Sequence, residues 1–119
     1  MVEYLPKTDD SIAWKVVATA AVTGGQLVNV AGAPTTAGDP TWLGIAAHDA
    51  AIGETVTAFC DDIQRPTAAS NIAAGDRLKA AANGQVTTWV SGTDAADLMV
   101  GIALQAGTTG NTFVAKFLR

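Results

Sequence analysis

The sequence lacks most of the side chains on which metal and disulfide chemistry depend. Its 119 residues include one cysteine, Cys60, and one histidine, His48. A single cysteine cannot form an intrachain disulfide or a cysteine-based zinc site, because both need partners that the chain does not have. A lone histidine likewise leaves too few ligands for a metal centre built on imidazoles.

Long apolar runs and clustered positive charges are also missing. The longest apolar stretch, around 16–22, is interrupted by Thr19 and is far shorter than the roughly 20 residues that a bilayer requires. The amino terminus does not resemble a secretory signal, so we expect synthesis in the cytoplasm and no membrane partner. The seven basic residues are scattered and the net charge is −4, whereas nucleic-acid binding favours a concentrated positive stripe. We therefore predict no nucleic-acid partner.

Charged residues of either sign are scarce. They make up 15% of the chain, against roughly 25% in typical soluble domains, while 49% of the residues are hydrophobic. A monomer of this composition would expose much neutral surface. This favours a surface that is partly covered by further copies of the chain or by another protein.

Glycines recur between short runs of Val, Thr, Ile and Phe, a pattern typical of strands and turns. The segment 111–118 is the clearest strand, because Phe113, Ala115 and Phe117 alternate with the residues between them and predict an inward face. Only 66–74 and 93–99 have the composition of a helical turn, and an ordinary loop fits each equally well. We predict an all-β fold with strands at 14–22, 26–31, 41–47, 54–60, 76–81, 85–90, 97–104 and 111–118.

The sequence also contains an internal echo. Segment 43–59 aligns without gaps on 100–116, at an offset of 57 residues, and matches Gly44 to Gly101. Upstream, 24–27 is echoed by 75–78 at an offset of 51, as though the second copy carried a short insertion. Both Gly-Ile-Ala strands begin with a glycine, which permits a bend or a close backbone approach.

These patterns predict a compact single-domain β-barrel or sandwich built from two similar halves. We place the domain at 14–119, its halves at about 20–60 and 72–118, and an extended N-terminal arm at 1–13. Two copies are too few for a solenoid. We therefore expect a closed pair with approximate two-fold symmetry, which removes most exposed sheet edges.

The residues that might carry chemistry are isolated from one another in the sequence. His48 and Asp49 are adjacent, but a general base needs a nucleophile oriented toward it, and neighbours on a strand point to opposite faces. Cys60 fits a small buried thiol better than a nucleophile. The pairs Asp61–Asp62 and Asp94–Asp97 lack the alternating spacing of a calcium loop. We predict that the chain is not an enzyme and has no catalytic residues, metal or cofactor.

The aromatic residues point instead to binding between proteins. Trp42 and Trp89 lie in strand-like runs, which favours the core but leaves an interface position open. Trp14 ends a polar lead, and aromatic side chains often anchor protein interfaces. An extended lead can also add a strand to a partner's sheet edge. We predict partner-binding residues at Tyr4, Leu5, Pro6 and Trp14.

The order of these motifs resembles that of the capsid decoration, or cement, proteins of tailed bacteriophages and related prophages. The resemblance spans about residues 20–118, and its motifs are Gly24-Gly25-Gln26-Leu27-Val28, Leu43-Gly44-Ile45-Ala46, Asp49-Ala50-Ala51-Ile52-Gly53-Glu54-Thr55-Val56, Ala73-Ala74-Gly75-Asp76-Arg77-Leu78 and Val100-Gly101-Ile102-Ala103-Leu104. It implies a β-barrel-like subunit, usually trimeric, that sits on the outer capsid surface of the virion and clamps neighbouring major capsid protein subunits. The longer lead and the stretch 61–66 depart from the family pattern.

Two other functions remain open at this point. A receptor- or carbohydrate-binding β-module of a tail or surface structure would use Trp42 or Trp89 as a sugar platform. A small enzyme or regulatory barrel would depend on His48 and Cys60.

Overall fold

The computed structural model describes residues 13–60 and 62–117. Within them, nine strands form two antiparallel sheets, with strand order β1-β4-β3-β2 in the first sheet and β5-β9-β8-β6-β7 in the second. The strands are β1 Ala13–Val17, β2 Leu27–Asn29, β3 Trp42–Ala46, β4 Thr55–Phe59, β5 Asp62–Gln64, β6 Arg77–Ala80, β7 Val86–Thr88, β8 Met99–Ala103 and β9 Ala115–Phe117. Short 3-10 turns occur at Ala82–Gly84 and Ala96–Leu98. The all-β prediction is confirmed. The predicted arm at 1–13 lies outside the described residues except for Ala13, which begins β1.

Each of the eight predicted strand segments overlaps an observed strand, although the observed strands are shorter. The prediction missed β5, which pairs with β9 and lies in the stretch that departs from the family pattern. Segment 66–74 forms isolated bridges, whereas 93–99 does contain a 3-10 turn. The predicted inward face of the last segment is confirmed, because Phe113, Ala115 and Phe117 are all buried.

The two sheets repeat one pairing scheme. The order β1-β4-β3-β2 corresponds to β5-β9-β8-β6, with β7 added at the edge. Gly25 N–H donates to the Ala46 carbonyl and Gly75 N–H donates to the Ala103 carbonyl, each at 2.8 Å, so Gly25 is equivalent to Gly75. The offset in this region is therefore 50, and the predicted offset of 51 was wrong by one residue.

Further along the chain, the structural offset agrees with the echo of 57 residues. Ile45 pairs with Phe59 in the first sheet, as Ile102 pairs with Lys116 in the second. The change of offset from 50 to 57 shows that the second copy has a longer connection between β6 and β8, which contains β7. Below, the first half means residues 13–60 and the second half means residues 63–117.

Each half closes through the same backbone contact. Thr19 N–H donates to the Gly32 carbonyl at 3.1 Å, and Ala69 N–H donates to the Val86 carbonyl at 2.8 Å. In the first half, this bond joins the segment after β1 to the connection after β2. In the second half, the equivalent bond joins the segment after β5 to the connection after β6. The closure satisfies backbone groups that would otherwise form an exposed edge.

Two hydrophobic clusters form the core. One lies within the first half and comprises Ala18, Val22, Val28, Ala46, Ala50, Val56 and Ala58. The other combines the buried residues of the second half with Leu27, Trp42 and Ile45 of the first. Trp42 meets Phe117 edge to face, with ring centroids 5.9 Å apart, so this tryptophan belongs to the core and joins the two halves.

The halves do not pack with exact two-fold symmetry. Cross-strand partners in the first sheet form one row, which we call the first row: Ala13, Phe59, Ile45 and Leu27. Their equivalents in the second sheet form the second row: Ile63, Lys116, Ile102 and Arg77. The second half buries Leu27 and Ile45, whereas Arg77 and Lys116 are exposed. Equivalent rows are therefore buried to different extents, which an exact two-fold axis would not produce, and we describe this one-sided packing of the halves as head to tail.

Gly44 and Gly101 have the predicted role of allowing close backbone approach. A Cβ atom on Gly44 would lie 2.3 Å from the Phe59 carbonyl oxygen, and one on Gly101 would lie 2.3 Å from that of Lys116. Real side chains do not tolerate such distances. Each glycine is therefore required at its point of pairing between two strands.

Candidate functional site

Trp14 lies on an edge strand of the first sheet. It pairs with Ala58 across β1 and β4, and 47% of its surface is exposed. Val17, on the same strand, is 55% exposed. Tyr4, Leu5 and Pro6 lie outside the described residues. The structure thus places one of the four predicted binding residues on an exposed, partly apolar edge.

His48 is oriented by the backbone. Thr57 N–H donates to Nε2 at 3.4 Å, so the ring proton lies on Nδ1 and donates to the Asp49 carbonyl oxygen at 2.9 Å. The contact with Asp49 is to its main chain, and the Asp49 carboxylate instead accepts a bond from Gly24 N–H. This geometry stabilises a turn and does not form the base-and-orienter arrangement of a nucleophilic site.

Cys60 is half-buried and lines a shallow pocket. Its thiol donates to the Ala58 carbonyl oxygen at 3.5 Å. The pocket has a volume of about 250 Å³, and Pro40, Trp42 and Leu43 form the rest of its lining. Apolar side chains dominate this lining, so the pocket suits an apolar side chain better than a polar metabolite.

Two aspartates organise the connections of the two halves. Asp39 is buried and accepts bonds from Asn29 Nδ2 at 3.0 Å, from Thr41 N–H at 2.9 Å and from Thr41 Oγ1 at 2.7 Å. Burial alone would raise the pKa of Asp39, but the hydrogen bonds from Asn29, Thr41 and Thr36 outweigh it and lower the pKa below its usual value.

Asp94 has the corresponding place in the second half. Lys79 Nζ lies 2.8 Å from Oδ1, and Val90 N–H donates to Oδ2 at 2.8 Å. The bond from Lys79, followed by that from Val90, lowers the pKa of Asp94. Asn29 and Lys79 are equivalent residues at offset 50, so one scheme uses a neutral donor and the other a cation. Both carboxylates thus stabilise loops. Within the described part of the chain, no group of three or more His, Cys, Asp or Glu residues is arranged to hold a metal ion.

The two tryptophans of the alternative carbohydrate site differ in exposure. Trp42 is 8% exposed and lies edge-on to Phe117. Trp89 is half-buried, and its Nε1 donates to the Ala95 carbonyl oxygen at 2.8 Å. This bond holds the ring against the later part of the connection between β6 and β8. A sugar platform needs an exposed ring face, and Trp42 does not offer one.

Exposed aliphatic side chains are the surface feature that sequence reasoning missed. They include Ile52, Val30 and Ile63, which are 72%, 60% and 57% exposed. Ile63 belongs to the second row, beside Lys116 and Ile102. If the internal sequence repeat is extended upstream at an offset of 50, Ile63 aligns with Ala13. This alignment would have identified Ile63 as part of the first strand of the second half.

No helix within 13–60 and 62–117 has the length and apolar character needed to cross a bilayer.

Two comparisons with known proteins match most of the chain. The fold is similar to a chain described as the crystal structure of head fiber gp8.5 N base in bacteriophage phi29, with a TM-score of 0.69 over 90% of this chain and 93% of that one. At 16% identity, the similarity shows the fold alone. None of the curated proteins matches the chain. The model of the phage cement protein family matches residues 6–117, which span both halves. The chain therefore belongs to the phage cement protein family.

Proposed function

We propose that this chain is a capsid decoration protein that binds the outer surface of the major capsid protein lattice as a homotrimer and stabilises the head. Membership of the cement family gives it a structural role associated with the phage head and a location at the capsid of the virion. The finer statement, that the partner is the major capsid protein and the bound form a trimer, is our proposal. The family match over both halves is the observation that carries it.

The surface chemistry supports binding without catalysis. Trp14 and Val17 present apolar surface on an edge strand, and the polar groups of His48, Asp39 and Asp94 are engaged in loop contacts. A clamp on a shell needs complementary surfaces and no reactive group. We therefore propose that the chain is not an enzyme.

Avidity explains how modest patches hold a shell together. A trimer that contacts several shell subunits makes each contact after the first effectively intramolecular. The overall affinity then exceeds that of one patch without any new type of contact. Low charge density leaves neutral surface for such contacts.

We propose that the arm at 1–13 takes part in this binding. Tyr4, Leu5 and Pro6 precede the exposed Trp14 in the chain, and β1 begins at Ala13. An extended segment can pair with the edge of a partner's sheet through its main chain, while aromatic and aliphatic side chains anchor it.

Binding to shells tests the proposal. Purified chain is titrated onto expanded shells that contain only the major capsid protein, and bound copies are counted by sedimentation and located by cryo-electron microscopy. We expect trimers on the outer surface and a higher disruption temperature of the shell. Trp14→Ala should weaken binding by about tenfold or more, and Trp14→Phe should retain most of it. Failure of the wild-type chain to bind shells would overturn the proposal.

A further inference from the structure

We propose that copies of this chain associate by repeating, between molecules, the head-to-tail packing that joins the two halves within one molecule. In this arrangement the second row of one copy packs on the first half of the next copy, around Val30 and Cys60. The inference rests on the proposed trimer and names its interface. Three copies joined in this way form a ring of six similar halves.

Equivalent rows of the two halves differ in burial. The second half covers Leu27 and Ile45 of the first row, which are 0% and 4% exposed. In the second row, Ile63 is 57% exposed and Arg77 and Lys116 are also exposed. The second row therefore has the same arrangement of strands as the first row. Within one copy, however, the described residues bury the first row and leave most of the second row exposed.

The second half provides the surface on which the first row packs. Trp42 packs on Phe117, and Gln26 Nε2 donates to the Asn83 carbonyl oxygen at 3.0 Å. Beside this bond, a Cβ on Gly84 would lie 2.9 Å from the Leu27 carbonyl oxygen, which shows how closely the halves approach. Phe117 and Gly84 thus mark the receiving surface on the second half.

The equivalent receiving surface on the first half is only partly covered. Phe117 corresponds to Cys60 at an offset of 57. Gly32 and Val86 are equivalent, because each accepts the backbone bond that closes its half. Val30 and Gly84 lie two residues before them and are therefore equivalent to each other. Val30 is 60% exposed, and Cys60 lines the apolar pocket of about 250 Å³. Met99 is the equivalent of Trp42, so Met99 of one copy is the side chain that would approach this pocket in the next.

Charge and symmetry favour a second copy as the occupant. The second row carries two cations, Arg77 and Lys116, whereas the chain as a whole has a net charge of −4. These two cations therefore lessen the repulsion between copies that each carry a net negative charge. The two contact surfaces differ, so the interface is heterologous, and repetition of such an interface closes into a ring when the rotation permits.

Matched substitutions of exposed aliphatic residues test the interface. Ile63→Glu alters the second row, Val30→Glu alters the receiving surface, and Ile52→Glu is the control, because Ile52 is 72% exposed at a turn outside both. We expect the first two variants to weaken self-association by about tenfold or more in analytical ultracentrifugation, with unchanged circular dichroism. The control variant should assemble like the wild-type chain.

A proximity measurement supplies a second readout. Cys60 is the single native cysteine, so Met99→Cys adds one thiol at the position equivalent to Trp42. A short bifunctional maleimide should then link separate copies into covalent dimers and trimers, and Cys60→Ser in the same background should abolish the links. Thr109→Cys, an exposed position in a turn, serves as the matched control and should give few links.

The outcomes separate this inference from the proposed function. Retention of full assembly by both Glu variants would overturn the interface. Dissociation by Ile63→Glu alone would show that the row pairs with itself, which also contradicts head-to-tail packing. Variants that remain trimeric but no longer bind shells would assign this face to the capsid, so the interface would be wrong while the decoration function stands. A wild-type chain that is monomeric both in solution and on shells would overturn both the interface and the trimer.

Discussion

The two halves of the chain share a strand order but differ in how they use the two faces of the sheet. The first half packs one face on its own small core and the other face on the second half. The second half packs one face on a core that includes residues of the first half and leaves three of the four residues of the second row exposed. Duplicated backbones can thus serve as an inner and an outer layer when two residues of one row change from apolar to charged, here Leu27 to Arg77 and Phe59 to Lys116.

The cores differ in size as well. Equivalent inward positions hold Val22, Val28 and Val56 in the first half and Ile72, Leu78 and Phe113 in the second, and all six are buried. The first core is smaller because its side chains are smaller. It is stabilised from the other face of its sheet, where Leu27, Trp42 and Ile45 lie under the second half.

The largest expected effect tests this difference between the cores. Phe113→Ala should lower the free energy of unfolding by about 3–5 kcal/mol, and the equivalent Val56→Ala should lower it by about 2 kcal/mol, because fewer buried carbons are removed. Urea unfolding followed by circular dichroism gives both values. Since residues of the first sheet belong to the second core, each variant should unfold in a single transition. Two separate transitions for Val56→Ala would show that the halves fold independently.

The next prediction asks whether the two halves have equal backbone requirements. Gly44→Ala and Gly101→Ala place a Cβ against equivalent carbonyl oxygens at 2.3 Å, so each should destabilise by about 1–3 kcal/mol and by similar amounts. Gly24→Ala is the matched control, because its nearest contact is 3.3 Å and the strain is smaller. Differential scanning calorimetry measures the three variants. A control variant that is as unstable as the other two would remove the explanation by close approach.

The smallest expected effect concerns the two connections and their dependence on pH. The pKa values of Asp39 and Asp94 are both lowered from 3.8 in the folded chain. Their stabilisation is therefore present above about pH 3.8 and is lost as the pH falls through the folded pKa values. Asp39→Asn and Asp94→Asn should each flatten the acid side of the stability profile, measured by urea unfolding between pH 2 and 6.

The two carboxylates should also differ in their response to salt. Added salt screens the attraction between Lys79 and Asp94, whereas Asn29, the donor to Asp39, is neutral. The decrease in unfolding free energy caused by Asp94→Asn should therefore become smaller as salt is added. The decrease caused by Asp39→Asn should depend less on salt. Equal salt dependence would contradict the distinction drawn between the two connections.

Much of the fold was predictable because its signals are local. Alternation identified Phe113, Ala115 and Phe117 as the inward face, and the repeated Gly-Ile-Ala segments identified two equivalent strands. The strand β5 was not predicted, because three residues provide no readable period and their pairing with β9 depends on tertiary structure. The equivalence of Gly25 and Gly75 was missed by one residue, because two adjacent glycines allow two alignments, and a hydrogen bond distinguishes them.

The binding surface was less predictable than the fold. The polar lead before Trp14 predicted a partner-binding role, which stays a prediction, and the position of Trp14 on a sheet edge depends on pairing between distant segments. The second row was not predicted at all. Its four residues come from four strands that are separated in the sequence, and only the register of the sheet brings them into line.

The longer connection of the second half also has a practical consequence. Its tip at 91–93 forms an exposed turn that includes Gly92. Trp89 N–H donates to the Arg77 carbonyl and Asp94 pairs with Lys79, so both sides of the turn are fastened to β6. Exposed turn tips of this kind accept inserted sequence most readily. A peptide epitope grafted between Ser91 and Gly92 would leave both hydrophobic cores intact, which makes this turn a natural attachment point for displaying antigens on an assembled particle.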